Sequence, residues 1–343
     1  MSFKVTIRPS GHKFDVEVSE SILDGALRAG YVLPYNCRNG VCGTCKNRVL
    51  SGRVDYGDVS PATLTEDDKA NGMALFCQAK ALEDVEIEAE EIDAVHDVPI
   101  RILPCRVAAM EKLAHDVMGL KLTLPQGQRL QFLAGQYIDF LLKDGRRRSF
   151  SLANAPHNDE VLELQIRQVP DGFFTTHVFQ KMKQKDLLRI RGPLGTFFLR
   201  EDSERSIIMV AGGTGLAPMK AILEHMFHIG MERPVQLYWG VRAKRDLYLL
   251  ALLDEWQEKY ANFLFVPVLS EPAEKDQWQG RTGWVHDVVL ADHDELSDVD
   301  MYASGPPPMI NALKGVVFDH GLTKDRFFYD SFEFAVEPGE MAD

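Results

Sequence analysis

The 343-residue chain lacks the features that mark several protein classes. It has no apolar run of membrane-spanning length, and its opening, MSFKVTIRPSG, lacks the charged, apolar and small-residue regions of a signal peptide. There is no internal repeat and no low-complexity tract. Basic residues are in deficit, with 38 Lys and Arg against 51 Asp and Glu, so the formal net charge is −13. That balance argues against a general binder of nucleic acid or anionic membrane, and it suits a partner that is at least locally basic. Cysteines number only five, an odd count. The expectation is a soluble, cytoplasmic protein, a compartment in which clustered cysteines bind metal or do redox chemistry more often than they form disulfides.

Three of those five cysteines crowd into one loop, YNCRNGVCGTCKNRV. Cys37, Cys42 and Cys45 have the spacing C-x4-C-x2-C, and Cys77 in ALFCQA is available as a distant fourth ligand. Four thiolates so spaced suit a plant-type 2Fe-2S cluster. Gly40 and Gly43 allow positive φ, so that amide N–H groups can point at the sulfurs. A zinc knuckle usually pairs two short C-x2-C elements, and only one is present; a thioredoxin-like pair needs neither Cys37 nor Cys77. Cys105 has no partner nearby in sequence and reads as an ordinary half-buried thiol.

The rest of the chain divides by texture. FKVTIRPSGHKFDVEV reads as two strands about a Ser-Gly turn, and SILDGALRAG as a short helix with a polar start and a glycine end. The acidic, proline-terminated LEDVEIEAEEIDAVHDVP marks a boundary near residues 93–100. Short β segments with glycine and proline turns follow, as in a small antiparallel barrel. From Arg205, buried-type strands (SIIMVAG, VQLYWGV, FLFVPVL, DVDMYASG) alternate with helical stretches (APMKAILEHMFHIG, DLYLLALLDEWQEKYA, GWVHDVVLADH), the pattern of βαβ units and a parallel sheet. The expected domains are 1–93, 100–202 and 203–343.

Two further segments carry chemistry. RRRSFSLANAP places Arg148, Ser149, Phe150 and Ser151 in a row that can pair a pyrophosphate, cover a flavin and bond its polar edge. Gly172, Thr175 and Thr176 can offer donors to phosphate at a helix start. In SIIMVAGGTGLAPMKAIL, Gly212, Gly213, Thr214 and Gly215 join a strand to a helix and permit close approach of a dinucleotide pyrophosphate, although the string is not G-x-G-x-x-G.

The cysteine loop, RRSFSLANAP with GPLGTFFL, GGTGLAP, LYWGVR and YASGPPPMI resemble, in order, the motifs of bacterial NAD(P)H-dependent flavin and iron–sulfur electron-transfer reductases. The likeness runs over nearly the whole chain and is greatest to the CDP-6-deoxy-Δ3,4-glucoseen reductase branch. It implies a β-grasp ferredoxin domain, an antiparallel β-barrel binding FAD, and an α/β parallel-sheet domain binding NADH or NADPH. By this resemblance Cys37, Cys42, Cys45 and Cys77 would ligate a 2Fe-2S cluster. Arg148 would bind the FAD pyrophosphate, Phe150 would lie along the flavin and Ser151 would meet its N5 edge. Gly305 and Pro306 would border the nicotinamide, where Ser304 replaces a cysteine common in relatives, and Phe332 would belong to a terminal aromatic segment beside the flavin. Ser151, Ser304 and Phe332 are thus the residues expected at the hydride-transfer site.

Arg242, Lys244 and Arg245 could meet a 2′-phosphate, or could simply be a solvated loop. The circuit implied is hydride from NAD(P)H to flavin, then single electrons through the cluster to a redox partner. That partner would be a pyridoxamine-phosphate-dependent sugar dehydratase or, alternatively, an oxygenase component. A redox sensor would carry a damaged hydride site or ligand set, and neither is evident.

Overall fold

The computed structural model of the chain describes residues 2–95 and 98–333. It divides into two compact units, one ending at Pro99 and the other running Ile100–Phe332. In the first, β1 (Ser2–Arg8) and β2 (Lys13–Glu17) bury Val5, Ile7, Phe14 and Val16, while Lys4, Lys13, Asp15 and Glu17 stay exposed. This is the two-residue period of a half-buried strand.

Helix α1 (Ile22–Arg28) starts where the Ser21 hydroxyl accepts the Asp24 N–H at 3.1 Å, and it stops before Gly30, whose φ is +88°. Its apolar residues Ile22, Leu23 and Ala26 lie in the core of this unit with Phe76 and Ile87. Then come β3 (Lys46–Ser51), β4 (Val54–Asp55), α2 (Glu66–Ala70), β5 (Met73–Leu75), β6 (Lys80–Ala81) and β7 (Val85–Glu88). The main sheet has the order β2-β1-β7-β3-β5, with β1 and β7 parallel and the other pairs antiparallel. A mixed sheet packed with one helix is the expected β-grasp arrangement.

The second unit opens with six antiparallel strands: β8 (Arg101–Ala114), β9 (Val117–Thr123), β10 (Tyr137–Leu141), β11 (Arg147–Ser151), β12 (Leu162–Arg167) and β13 (Leu187–Leu194). Their order is β11-β10-β13-β8-β9-β12, and a bridge between Leu152 and Leu164 joins the two ends into a barrel. The inward row of β8 is Leu103, Cys105 and Val107, so Cys105 is fully buried rather than half-buried, and burial pushes its thiol up to about 12. A thiol so placed packs as a small apolar side chain and is unreactive. Helix α3 (Phe173–Gln180) covers one side through Phe174 and Val178.

After the barrel, β14 (Ser206–Gly212), β15 (Val235–Val241), β16 (Phe263–Leu269), β17 (Arg281–Thr282), β18 (Val299–Gly305) and β19 (Phe327–Ser331) form a wholly parallel sheet ordered β17-β16-β15-β14-β18-β19. Helices α4 (Leu216–His228), α5 (Leu250–Lys259), α6 (Val285–Asp292) and α7 (Pro307–Val316) connect the strands. The helix expected from Asp246 begins only at Leu250, because the Asp246 carboxylate accepts the Ala243 N–H at 3.0 Å and holds Lys244–Asp246 in a separate 3-10 turn. Ala134, Phe197 and Leu199 from the barrel's side share one apolar cluster with Met219, Ile222 and Tyr302, so barrel and parallel sheet are packed as one body.

Asp300 at the start of β18 is fully buried, and Arg233 donates to it at 2.7 Å. The same guanidinium also donates to the carbonyls of Arg200 and Arg205, both at 2.7 Å. Arg233→Met should destabilise this unit by about 3–5 kcal/mol, because it leaves a buried carboxylate short of its main partner. Urea unfolding measures the change, and a loss below about 1 kcal/mol would contradict it.

Candidate functional site

In the first unit the loop after α1 gathers the four cysteines. Cys42, Cys45 and Cys77 are buried and Cys37 is half-buried. Gly40 has φ +75°, and a Cβ there would lie 2.5 Å from the Asp58 carbonyl, so the turn requires glycine. That turn lets the Gly40 N–H bond the Cys77 sulfur, while the Asn39 N–H approaches Cys37 Sγ at 3.4 Å. Arg38, held at φ 60° beside Cys37, buries its guanidinium against the Asp24 carboxylate of α1.

The sulfurs associate in two pairs. Cys37 interacts with Cys42 and Cys45 with Cys77, and Cys42 Sγ also lies 3.4 Å from the Thr44 hydroxyl. The Cys42 thiol, aided by the N–H groups of Asn39, Val41 and Cys42, holds Cys37 down to about 7. Cys77 is lowered likewise by the Cys45 thiol, then by the Gly40 N–H. Cys42 and Cys45 move up, through their partner cysteines first and then through burial. Among the described residues no three of the four sulfurs lie within 4.8 Å of one another. One tetrahedral zinc would hold all four at about 3.8 Å, given zinc–sulfur bonds near 2.3 Å. Two pairs set further apart fit two bridged irons, each taking two thiolates, and do not fit a single zinc.

In the second unit, the strand order reverses between β14 and β18, and both run parallel. The crevice outside their carboxyl ends is where such sheets take dinucleotides. The turn Gly212–Gly215 leaves β14 there, and Ser304–Pro306 leaves β18. The two turns touch backbone to backbone: a Cβ on Gly215 would lie 1.9 Å from the Ser304 carbonyl oxygen, and one on Gly305 would lie 3.0 Å from the Gly212 backbone. Thr214 is buried beside them, Gly213 takes φ +55°, and the Gly213 carbonyl accepts the Trp239 indole N–H at 2.9 Å. The N-terminus of α4 opens from this turn, with its amides and partial positive charge available to an anion. Pro306 precedes α7, and Arg242, Lys244 and Arg245 stand exposed past the carboxyl end of β15.

Ser304 is fully buried at this crevice, and its hydroxyl has no hydrogen-bond partner. A buried hydroxyl without a partner is costly, and a ligand amide or carbonyl entering the crevice would satisfy it. Ser151, at the end of β11, donates to Asp330 Oδ2 at 3.1 Å, and Asp330 is paired in register with Ser304 across β18 and β19. Ser151, Ser304 and Asp330 are thus drawn to one place, and the Phe332 N–H bonds the Gly305 carbonyl at 2.9 Å beside them. Sequence reasoning missed Asp330, whose only signal was an acidic residue inside an aromatic run, RFFYDSFEF.

The remaining barrel residues are disposed as follows. Arg148 and Phe150 alternate with Ser149 and Ser151 along β11, and the Ser149 hydroxyl donates to Asp139 at 2.6 Å. The Phe150 ring meets Phe140 edge-on and Phe174 at a tilt, with centroids 5.9 and 5.6 Å away. Gly172 precedes α3, and its carbonyl accepts the Thr176 N–H. The Thr175 hydroxyl accepts the Val169 N–H at 3.1 Å, so it secures the turn into α3.

Comparison with known proteins agrees with this geometry. A 2Fe-2S iron–sulfur cluster binding domain matches residues 5–82, an oxidoreductase FAD-binding domain residues 104–199, and an oxidoreductase NAD-binding domain residues 209–315. The CDP-6-deoxy-L-threo-D-glycero-4-hexulose-3-dehydrase reductase of Yersinia pestis is 39% identical over 332 residues, covering 97% of this chain and 99% of its own. The reductase component DmpP of phenol 2-monooxygenase from a Pseudomonas species is 35% identical over 339 residues, covering 96% and 95%. Among solved structures, the Amycolatopsis reductase GcoB superposes with a TM-score of 0.81 at 34% identity, covering 96% of this chain and 98% of that one. No helix among the described residues is long and apolar enough to cross a membrane. The chain therefore belongs to the family of NAD(P)H-dependent flavin and 2Fe-2S electron-transfer reductases, which pass hydride from NAD(P)H to FAD and electrons onward through the cluster to a partner protein.

Proposed function

We propose that this reductase supplies electrons to a pyridoxamine-phosphate-dependent dehydratase acting on a CDP-linked deoxyhexulose. The observation that carries this reading is similarity over 97% of the chain: 39% identity to the Yersinia dehydrase reductase, against 35% or less to the oxygenase reductases compared. The second reading, an oxygenase component as acceptor, rests on the 35% identity to the phenol hydroxylase reductase. A reducing cytoplasm is the proposed compartment, since none of the five cysteines is joined in a disulfide.

In this reading Cys37 and Cys42 would hold one iron, and Cys45 and Cys77 the other. Arg148 pairs the FAD pyrophosphate, with Ser149, Gly172, Thr175 and Thr176 shaping the surrounding flavin site, and Phe150 lines its ring. Gly212, Gly213, Thr214 and Gly215 admit the NAD(P)H pyrophosphate, while Gly305 and Pro306 border the nicotinamide. The cofactors supply the redox chemistry: hydride from the nicotinamide, its storage on flavin, and single-electron exit through the cluster. The protein's contribution is alignment. Ser151 presents a hydroxyl at the flavin edge, Asp330 orients that hydroxyl, Ser304 satisfies the nicotinamide side, and Phe332 closes the crevice. Such alignment requires no general acid or base.

Asp330→Ala should slow flavin reduction by NADH about 10- to 100-fold with FAD still bound. Asp330→Asn, whose amide oxygen can still accept from Ser151, should recover most of the rate. Equal loss in both variants would remove the orienting role.

Stopped-flow spectroscopy tests the acceptor. The protein reduced anaerobically with NADH, or with NADPH if NADH fails, is mixed with dehydratase and CDP-4-keto-6-deoxyglucose. Fast reoxidation of flavin and cluster that depends on both supports the proposal. Rapid reduction of cytochrome c while the dehydratase is ignored would move the assignment to an oxygenase partner.

A further inference from the structure

The unit spanning Ile100–Phe332 holds a cluster of polar side chains that electron transfer does not use. The turn between β8 and β9 is His115-Asp116, and the 3-10 turn after β15 ends in Asp246. His115 Nδ1 lies 3.7 Å from Asp116 Oδ1 and 3.6 Å from Asp246 Oδ1, and the three atoms all lie within 4.8 Å of one another. Asp246 is only 6% exposed. Both Oδ1 atoms are buried and lack a hydrogen-bond partner.

Each carboxylate spends its other oxygen on the protein. Asp116 Oδ2 accepts from Arg167 Nε at 2.8 Å, and Asp246 Oδ2 accepts from the Ala243 N–H at 3.0 Å. The Arg245 guanidinium stands off at 3.8 Å from Asp246 Oδ1, beyond hydrogen-bonding range. Two anionic oxygens buried without donors are costly, and they are held rigidly because the opposite edge of each carboxylate is fixed. The His115 side chain is 49% exposed, which provides a route of entry.

We propose that His115, Asp116 and Asp246 form a divalent-cation site, best matched to Zn2+ with water completing the shell. Ligands bound at about 2.0–2.2 Å in a tetrahedral shell lie roughly 3.4 Å apart, which small rotations of these side chains reach. One imidazole and two carboxylates suit Zn2+ better than Mg2+ or Ca2+, which prefer all-oxygen shells. Zinc here would tie the β8–β9 turn of the barrel to the loop leaving β15. It would also bear on the nucleotide loop, because Arg167, paired with Asp116, lies against Gly213: a Cβ there would come within 2.6 Å of Arg167 Nη1.

The test counts bound zinc on tag-free holoprotein with its cluster intact, by equilibrium dialysis at low-micromolar ZnCl2 followed by elemental analysis. Cluster absorbance is monitored to exclude exchange at the cysteines. His115→Ala and Asp246→Asn should each bind about one zinc fewer per chain than the parent. His157→Ala, which alters the stacked His157–His228 pair, should bind the same number as the parent. Replacing ZnCl2 with MgCl2 should give no such difference. Equal zinc in the parent, His115→Ala and Asp246→Asn proteins, or no zinc on the parent at these concentrations, would overturn the proposal.

Discussion

Cys42→Ala will abolish cytochrome c reduction, lowering it by more than about 100-fold, while NADH-driven reduction of ferricyanide stays within about twofold of the parent. Cys42 is 6% exposed with the Thr44 hydroxyl 3.4 Å from its sulfur, and alanine offers no ligand atom in place of the missing thiolate. An iron with three protein ligands is open to loss, and with it goes the one-electron exit. Ferricyanide can take electrons from flavin directly. The hydride side should survive because Ile100–Phe332 forms a compact unit with apolar clusters of its own. Iron content and the visible spectrum report the cluster, and flavin reduction in the stopped flow reports the other half. Sustained cytochrome c reduction in a variant free of iron would show that electrons leave from the flavin and would remove the cluster from the circuit.

The second large effect belongs to the contact between the two crevice turns. Gly215→Ala puts a Cβ 1.9 Å from the Ser304 carbonyl oxygen and 2.5 Å from its carbon, both backbone atoms that cannot rotate away. The start of α4 and the end of β18 must separate, which shifts the helix N-terminus relative to Ser304. Misplacement on the scale of 1 Å costs about 100-fold in rate, so flavin reduction by NADH should fall by that order. Overpacking should remove about 1–3 kcal/mol of stability as well. Gly315→Ala is the matched control: it lies inside α7, and a Cβ there meets nothing within 4 Å. That change should leave hydride transfer untouched and stabilise the unit by about 0.4–1 kcal/mol. Equal flavin reduction rates in the two variants would mean that the β14 and β18 turns do not set the nicotinamide geometry.

Much of the architecture is legible in local pattern. Val5, Ile7, Phe14 and Val16 alternate with charged residues and become the first hairpin. SIIMVAG and VQLYWGV, apolar nearly throughout, become central strands covered on both faces. Ser21 acts at a helix start as its residue type suggests. These features are legible because burial along a strand and capping of a helix depend on neighbours a few positions away. Reading failed where a side chain was engaged elsewhere. Cys105 sits on the inward row of a barrel whose closure depends on Leu152 meeting Leu164, a pairing no local pattern specifies. Asp246 delays α5 because its carboxylate holds the Ala243 N–H.

The cysteine spacing points to a 2Fe-2S cluster because thiolate number and spacing are short-range properties, while FAD, NAD(P)H and the direction of electron flow follow from the resemblance of the ordered motifs to the reductase family. Which sulfurs pair, how the two glycine turns interlock, and the meeting of Ser151 with Asp330 across 179 positions are products of folding. Those contacts exist only after strands remote in sequence are laid side by side, because register within a sheet is a long-range property of the whole unit.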